Sequence, residues 1–153
     1  MKDLIPNKRG FNIVELLISI GIIGLVTGIS VQSYVNFSRA QSLAAASSAL
    51  AGALRDARAR TLASVGASQY GVKVDMDMFT FFKGSAFSSS TAGNETFIFP
   101  YPVAASSSLH IFTFARVTGN VSASGTIDLY LPGLPGVPSQ TVSIQNTGLV
   151  SIQ

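Results

Sequence analysis

The chain has 153 residues, the size of one ordinary domain; 47% are hydrophobic and only 11% are charged, against an average of about a quarter charged, which excludes intrinsic disorder. Ten Lys and Arg against seven Asp and Glu give a formal charge of +3, too small and too scattered an excess to mark a nucleic-acid binder. With no cysteine and a single histidine, His110, there is no material for disulfides, thiolate metal sites, a cysteine nucleophile or a His-based triad, and no cofactor or metal site is expected.

The apolar excess is concentrated near the N-terminus. Residues 16–38, from Leu16 to Ser38, are 23 positions without a formal charge. As a helix this stretch extends roughly 35 Å, enough to cross a hydrocarbon core of about 30 Å. Lys2, Lys8 and Arg9 precede it with one acid, Asp3, and Arg39 follows it. The bias of basic residues towards the cytoplasmic side puts the N-terminus in the cytoplasm and the rest of the chain outside. The run is too long for the apolar region of a cleaved secretory signal, and the small-residue stretch Leu43-Ala44-Ala45-Ala46-Ser47 comes only after a polar segment. An uncleaved signal anchor explains length and orientation. It leaves two details unexplained: Gly10-Phe11 at the junction of basic and apolar residues, and Glu15, a carboxylate just inside the apolar run, where an unpaired charge is costly.

Those details lie in Lys8-Arg9-Gly10-Phe11-Asn12-Ile13-Val14-Glu15-Leu16, which resembles the processing site of type IV prepilins and pseudopilins. The resemblance implies cleavage after Gly10 by a prepilin peptidase, N-methylation of Phe11, and Glu15 at the fifth mature position. There it would pair with the N-terminal amine of a neighbouring subunit during assembly. Asn12 and Ile13 depart mildly from the commoner Thr or Ser and Leu. Loss of residues 1–10 would lower the formal side-chain charge from +3 to +1.

Downstream, no proline occurs between Phe11 and Pro100, so a helix can continue to about Gly66, whose type suits a C-cap. Gly21, Gly24 and Gly28 are spaced as in contacts between membrane helices. From Ala40 to Val65, the residues Leu43, Leu50, Leu54, Ala57, Thr61 and Val65 recur at helical intervals and form an amphipathic stripe. Arg55, Asp56, Arg58 and Arg60 fall off that stripe and read as a solvated face, with Asp56 and Arg60 paired across one turn.

Beyond Gly66 the apolar period changes to two. Tyr70–Asp75, Thr126–Leu131 and Thr141–Gln145 alternate as half-buried strands, while Met78–Lys83, Glu95–Phe99 and Leu109–Phe114 are rich in Phe and Ile and read as central or helix-facing strands. Asn146-Thr147-Gly148 joins Val142-Ser143-Ile144 to Val150-Ser151-Ile152 as a hairpin. Ser85–Asn94, Ala104–Ser108, Gly119–Gly125 and Pro132–Pro138 carry turn chemistry and read as surface loops. The expected fold is α+β. A long N-terminal helix, apolar in its first half and amphipathic in its second, packs on a C-terminal antiparallel β-sheet or sandwich of roughly seven strands. The expected divisions are 1–10 leader, 11–38 transmembrane and assembly helix, 39–66 amphipathic continuation, and 67–153 β-rich extracytoplasmic domain.

The second half also resembles the GspH/FimT-like minor pseudopilins. It has Arg55-Asp56-Ala57-Arg58-Ala59-Arg60 at the helix end, Gly125-Thr126-Ile127-Asp128-Leu129, Thr141-Val142-Ser143-Ile144 and Gly148-Leu149-Val150. The resemblance implies a non-enzymatic, inner-membrane subunit that moves into a pilus or type II secretion pseudopilus. Its partners would be other pilin or pseudopilin subunits, prepilin peptidase and, before assembly, membrane lipid. Some FimT-like relatives bind DNA through C-terminal basic residues. Here no Lys or Arg follows Arg116, and Leu149 stands where many relatives have arginine, so nucleic acid is not an expected partner. The competing readings are a minor pilin that captures DNA or a surface, and a plain signal-anchored extracytoplasmic domain. His110 reads as structural, and Asp75 with Asp77 as a solvated turn.

Overall fold

The computed structural model describes residues 12–133 and 139–153, and the side chains of 29–32 lie outside that description. Gly10, Phe11 and most of the Pro132–Pro138 stretch therefore fall outside the described residues. The chain divides into two units, Met1–Ser38 and Arg39–Gln153.

Helix α1 runs from Ile13 to Leu62. Asn12 caps it: its Oδ1 accepts from the Val14 N–H at 3.2 Å and its carbonyl from the Leu16 N–H at 3.2 Å. Asn is among the best N-caps because its short side chain reaches the otherwise unpaired amides of the first turn. The helix stops at Leu62, earlier than Gly66. Thr61 Oγ1 donates to the Ala57 carbonyl at 2.7 Å and accepts from the Tyr70 N–H at 2.9 Å, so the first strand is tied to the last helical turn. Ser64, Gly66 and Ala67 then turn the chain with positive φ values of 52°, 58° and 52°. Gly66 thus takes the left-handed conformation its type allows, but in a short 3-10 turn, Val65–Ala67, rather than as the helix cap.

In the unit Arg39–Gln153 the helical stripe is buried as its period requires. Leu43, Leu50, Leu54, Ala57 and Thr61 are buried, joined by Ala46, Ser47 and Ala51, while Val65 lies past the helix and is exposed. Among the described residues eight strands follow: β1 Tyr70–Val74, β2 Met78–Lys83, β3 Glu95–Ile98, β4 Ala104–Ser107, β5 Ile111–Thr113, β6 Gly125–Tyr130, β7 Gln140–Ile144 and β8 Val150–Ile152. They make two antiparallel sheets, ordered β3-β2-β1-β5 and β4-β6-β7-β8. Their inner faces share one core with the helix, including Val72, Phe79, Phe81, Phe112, Ile127, Leu129 and Val142.

The structure corrects three sequence expectations. Ala104–Ser107 is not a loop but a strand, whose partner β6 sets Ala104 opposite Tyr130 and Ser107 opposite Ile127. Glu95–Ile98 is not central but an edge strand, exposed along its whole length and paired only through β2. Of Leu109–Phe114 only Ile111–Thr113 forms the strand, on the other edge of the same sheet. The lack of alternation in β2 has a local cause. Gly71 lies under Phe82, whose ring would come within 2.5 Å of a Cβ there, and Phe87 from the following loop packs edge-on against Phe82 with ring centres 5.5 Å apart. Phe82 is thereby buried outside the main core, and both faces of β2 are covered.

Candidate assembly segment and the arginine end of the helix

In the unit Met1–Ser38, the described part of α1 presents its apolar side chains outward. Ile13, Leu17, Ile20, Ile23 and Leu25 are each at least 60% exposed. Among the described residues this is the helix long and apolar enough to cross a membrane; its most apolar 18-residue window has a mean hydropathy of 2.2 and none of it is buried. Two of its hydroxyls bond back to the preceding turn: Ser19 Oγ donates to the Glu15 carbonyl and Thr27 Oγ1 to the Ile23 carbonyl, each at 2.7 Å. Such bonds to the preceding turn let a polar side chain sit in hydrocarbon without an unmet group.

Glu15 lies in the first turn, where the positive end of the helix dipole favours a carboxylate, and it is exposed. Gly21, Gly24 and Gly28 have open space where a Cβ would stand. Gly10 and Phe11, the expected processing pair, lie outside the described residues.

In the other unit, the arginines at the end of α1 are not the free solvated face expected of them. Arg58 Nε donates to the Gly119 carbonyl at 3.3 Å and its Nη2 to the Thr147 carbonyl at 3.1 Å, while Arg55 donates to the Val150 carbonyl at 3.1 Å. Arg60 pairs with Asp56 at 2.9 Å, as the spacing predicts, and lies over the Phe81 ring at 4.9 Å. The hydrogen bond that Arg60 donates to the Asp56 carboxylate raises the Arg60 pKa above its ordinary value. Two of the three guanidinium groups thus tie the helix to the turn before β6 and to the β7–β8 hairpin. The signal for this lay in Gly119 and Gly148, whose φ values of 66° and 76° make the tight turns that carry the accepting carbonyls past the helix.

Neither His110 nor the acidic pair gathers a site. His110 Nδ1 lies 3.3 Å from the Val74 carbonyl and the ring is exposed; Asp75 pairs with Lys73 at 2.7 Å; and the Asp77 carbonyl accepts from the Phe99 N–H at 2.9 Å. Among the described residues no three His, Cys, Asp or Glu side chains come together as metal ligands would.

A long N-terminal helix followed by two four-stranded antiparallel sheets defines an α+β, pilin-like fold. Among solved structures, the chain is similar to the minor pseudopilin EpsH from the type 2 secretion system of Vibrio cholerae, with a TM-score of 0.58 and 13% identity over 73% of this chain and 96% of that one. The resemblance to minor pseudopilins read from the sequence therefore holds at the level of the fold. No family model and no curated protein matches the sequence.

Proposed function

We propose that this chain is a non-enzymatic structural subunit of a type IV pilus or a type II secretion pseudopilus, of the minor kind. It enters the inner membrane by residues 11–38 with its N-terminus cytoplasmic. Prepilin peptidase cuts after Gly10, Phe11 is methylated, and the chain moves into the fibre as its helix packs among those of other subunits. The observation that carries this reading is an apolar helical segment with none of its surface buried, on a chain whose fold is that of a minor pseudopilin. Outward-facing Leu and Ile at this density require lipid or other helices around them, since each would otherwise hold about 1.5–3 kcal/mol of apolar surface in water.

Glu15 supplies the assembly chemistry. Cleavage would create an α-amino cation at Phe11, one helical turn from a carboxylate, and in a lipid-free bundle of helices the two charges on neighbouring subunits neutralise each other. Mass spectrometry of the mature N-terminus, with and without a prepilin peptidase, tests the processing. An N-methylated Phe11 that depends on the peptidase supports the reading, while a mature protein that keeps residues 1–10 favours a plain anchor. Detection of the chain in sheared fibres tests assembly.

A further inference from the structure

Three large apolar side chains of the unit Arg39–Gln153 have no role in the account above. Met76, Ile98 and Tyr101 are exposed by 65%, 77% and 94%. They belong to different segments that meet at one end of the unit. The Met76 carbonyl accepts from the Ala105 N–H at 2.7 Å, Ala105 pairs with Leu129, Leu129 pairs with Gln140, and the Gln140 side chain accepts from the Ser47 hydroxyl. Ile98 lies opposite Met78, at the same end of β2. The other end of β2 runs towards the close of α1, where Phe81 lies under Arg60. The three side chains therefore sit at the Leu43–Ser47 end of the unit, the end at which the chain enters it.

The segments that carry them are braced. The Asp75 N–H donates to the Met78 carbonyl at 2.8 Å and closes the β1–β2 turn around Met76. The Phe99 N–H donates to the Asp77 carbonyl and the Val103 N–H to the Pro100 carbonyl, each at 2.9 Å. Phe99 and Val103 are buried, so the chain between them is pinned at both ends with Tyr101 at its apex. An apolar side chain held out in water on a fixed turn gains nothing within its own chain; its stabilisation has to come from a surface that removes it from water.

The tether selects that surface. Arg39 is the first residue after the uncharged run of residues 16–38. From Arg39 to Leu43, the first buried core residue, the chain spans at most about 14 Å even fully extended, so this end stays beside the bilayer at any angle the unit takes. The opposite end is a helix length away, about 35 Å from Arg39 to Leu62. Composition agrees with location. A tyrosine combines an apolar ring with a hydroxyl that prefers water, which is why the residue collects at membrane–water boundaries. The charges of the β1–β2 turn, the Lys73–Asp75 pair and the exposed Asp77, are acidic in sum, so contact rests on apolar insertion and not on attraction to anionic lipid. We propose that Met76, Ile98 and Tyr101 form a second membrane contact, which seats the β-rich unit in the interface of the bilayer that holds the apolar helix. The inference rests on the membrane insertion in the proposed function and deepens it: the subunit awaiting assembly is held at two places, and entry into the fibre has to peel this end from lipid.

The chain has no tryptophan, so a single substitution supplies a unique fluorescent reporter. Full-length chains carrying Tyr101→Trp, Val117→Trp or Leu17→Trp are reconstituted separately into phosphatidylcholine vesicles, with or without bromine on the upper acyl carbons. Val117 is 87% exposed on the turn whose Gly119 carbonyl Arg58 holds, at the far end of the unit, and serves as the water-side control. Leu17 reports the apolar helix. The Y101W chain should emit at shorter wavelength than the V117W chain and lose intensity with brominated lipid, while the V117W chain should do neither. Adding Met76→Ser and Ile98→Ser to the Y101W chain should return its emission towards that of V117W and remove the quenching. If L17W is quenched and Y101W is not, the second contact is overturned while membrane insertion stands; if L17W is not quenched either, both fall. A Y101W emission shifted to short wavelength yet untouched by bromine also overturns the proposal, and gives this end of the unit to another copy of the chain.

Discussion

The Nε of Arg58 donates to the carbonyl of Gly119 across 61 residues of sequence, at 3.3 Å, while the same guanidinium reaches Thr147 on the β7–β8 hairpin. One side chain thus joins the last turns of α1 to the turn before β6 and to the hairpin between β7 and β8. Hydrogen bonds from a charged donor to a carbonyl contribute about 1.5–3 kcal/mol each when shielded and less where water competes. Arg58→Ala should therefore lower the unfolding free energy of the β-rich part by roughly 2 kcal/mol. Arg58→Lys should recover less than half, because an ammonium cannot present the two-pronged geometry that spans two carbonyls. Thermal melts of the detergent-solubilised chain, followed by circular dichroism, check both variants.

The same junction makes Gly148 sensitive. A Cβ at Gly148 would lie 2.1 Å from the Gly119 carbonyl oxygen and 2.8 Å from Arg58 Nε, whereas one at Gly133, with the same φ of 76°, would meet nothing within 4 Å. Both Gly→Ala changes carry the backbone cost of the left-handed region, about 1–2 kcal/mol. Only Gly148→Ala adds a backbone collision, so it should destabilise by at least about 2 kcal/mol more than Gly133→Ala. Equal melting temperatures for the two variants would contradict the packing described for this turn.

The turn glycines and the apolar periods are legible in the sequence, whereas contacts made far along the chain are not. The stripe Leu43, Leu50, Leu54, Ala57 was legible because a helix with one buried face must repeat its apolar residues every three or four positions. Ile127 and Leu129 were legible for the matching reason: Thr126 and Asp128 face water, so β6 alternates. β4 was not. Ala104-Ala105-Ser106-Ser107 has neither β-branched nor aromatic residues, and only its pairing with β6 makes it a strand. Arg58 was misread because a charge off the apolar stripe looks the same whether it meets water or a carbonyl brought from far along the chain. At the N-terminus, Asn12 looked like a departure from Thr or Ser, yet all three share the capping oxygen that the first turn uses.

Core truncation separates the two halves of α1. Leu50 is fully buried between helix and sheets, whereas Leu17 is 63% exposed. Leu50→Ala should cost about 2–5 kcal/mol of stability, by lost transfer energy and the cavity left behind. Leu17→Ala should leave the melting of the β-rich part unchanged within about 0.5 kcal/mol and act instead on membrane or fibre contacts. Denaturation followed by near-ultraviolet tyrosine signals, which come chiefly from the β-rich part, distinguishes them. A matching loss of stability in Leu17→Ala would mean that the apolar segment is part of the folded core.

The Glu15 side chain is exposed in the first turn of α1. Under the proposed function its charge is neutralised by the Phe11 amine of a neighbouring chain once both have left lipid. Glu15→Ala keeps the expected cleavage glycine and the apolar run, so N-terminal processing should proceed at the normal level. Its incorporation into fibres should fall at least about tenfold, since losing even about 1.4 kcal/mol of a charge pair shielded from water shifts the equilibrium by that factor. Glu15→Asp should fall between the two, because the shorter side chain retains the charge but reaches the amine less well. Quantitative immunoblots of sheared fibres against membrane fractions, with mass spectrometry of the mature N-terminus in parallel, measure both steps. A Glu15→Ala chain that is processed and recovered in fibres at the wild-type ratio would remove Glu15 from assembly and leave the apolar helix as its sole driving force.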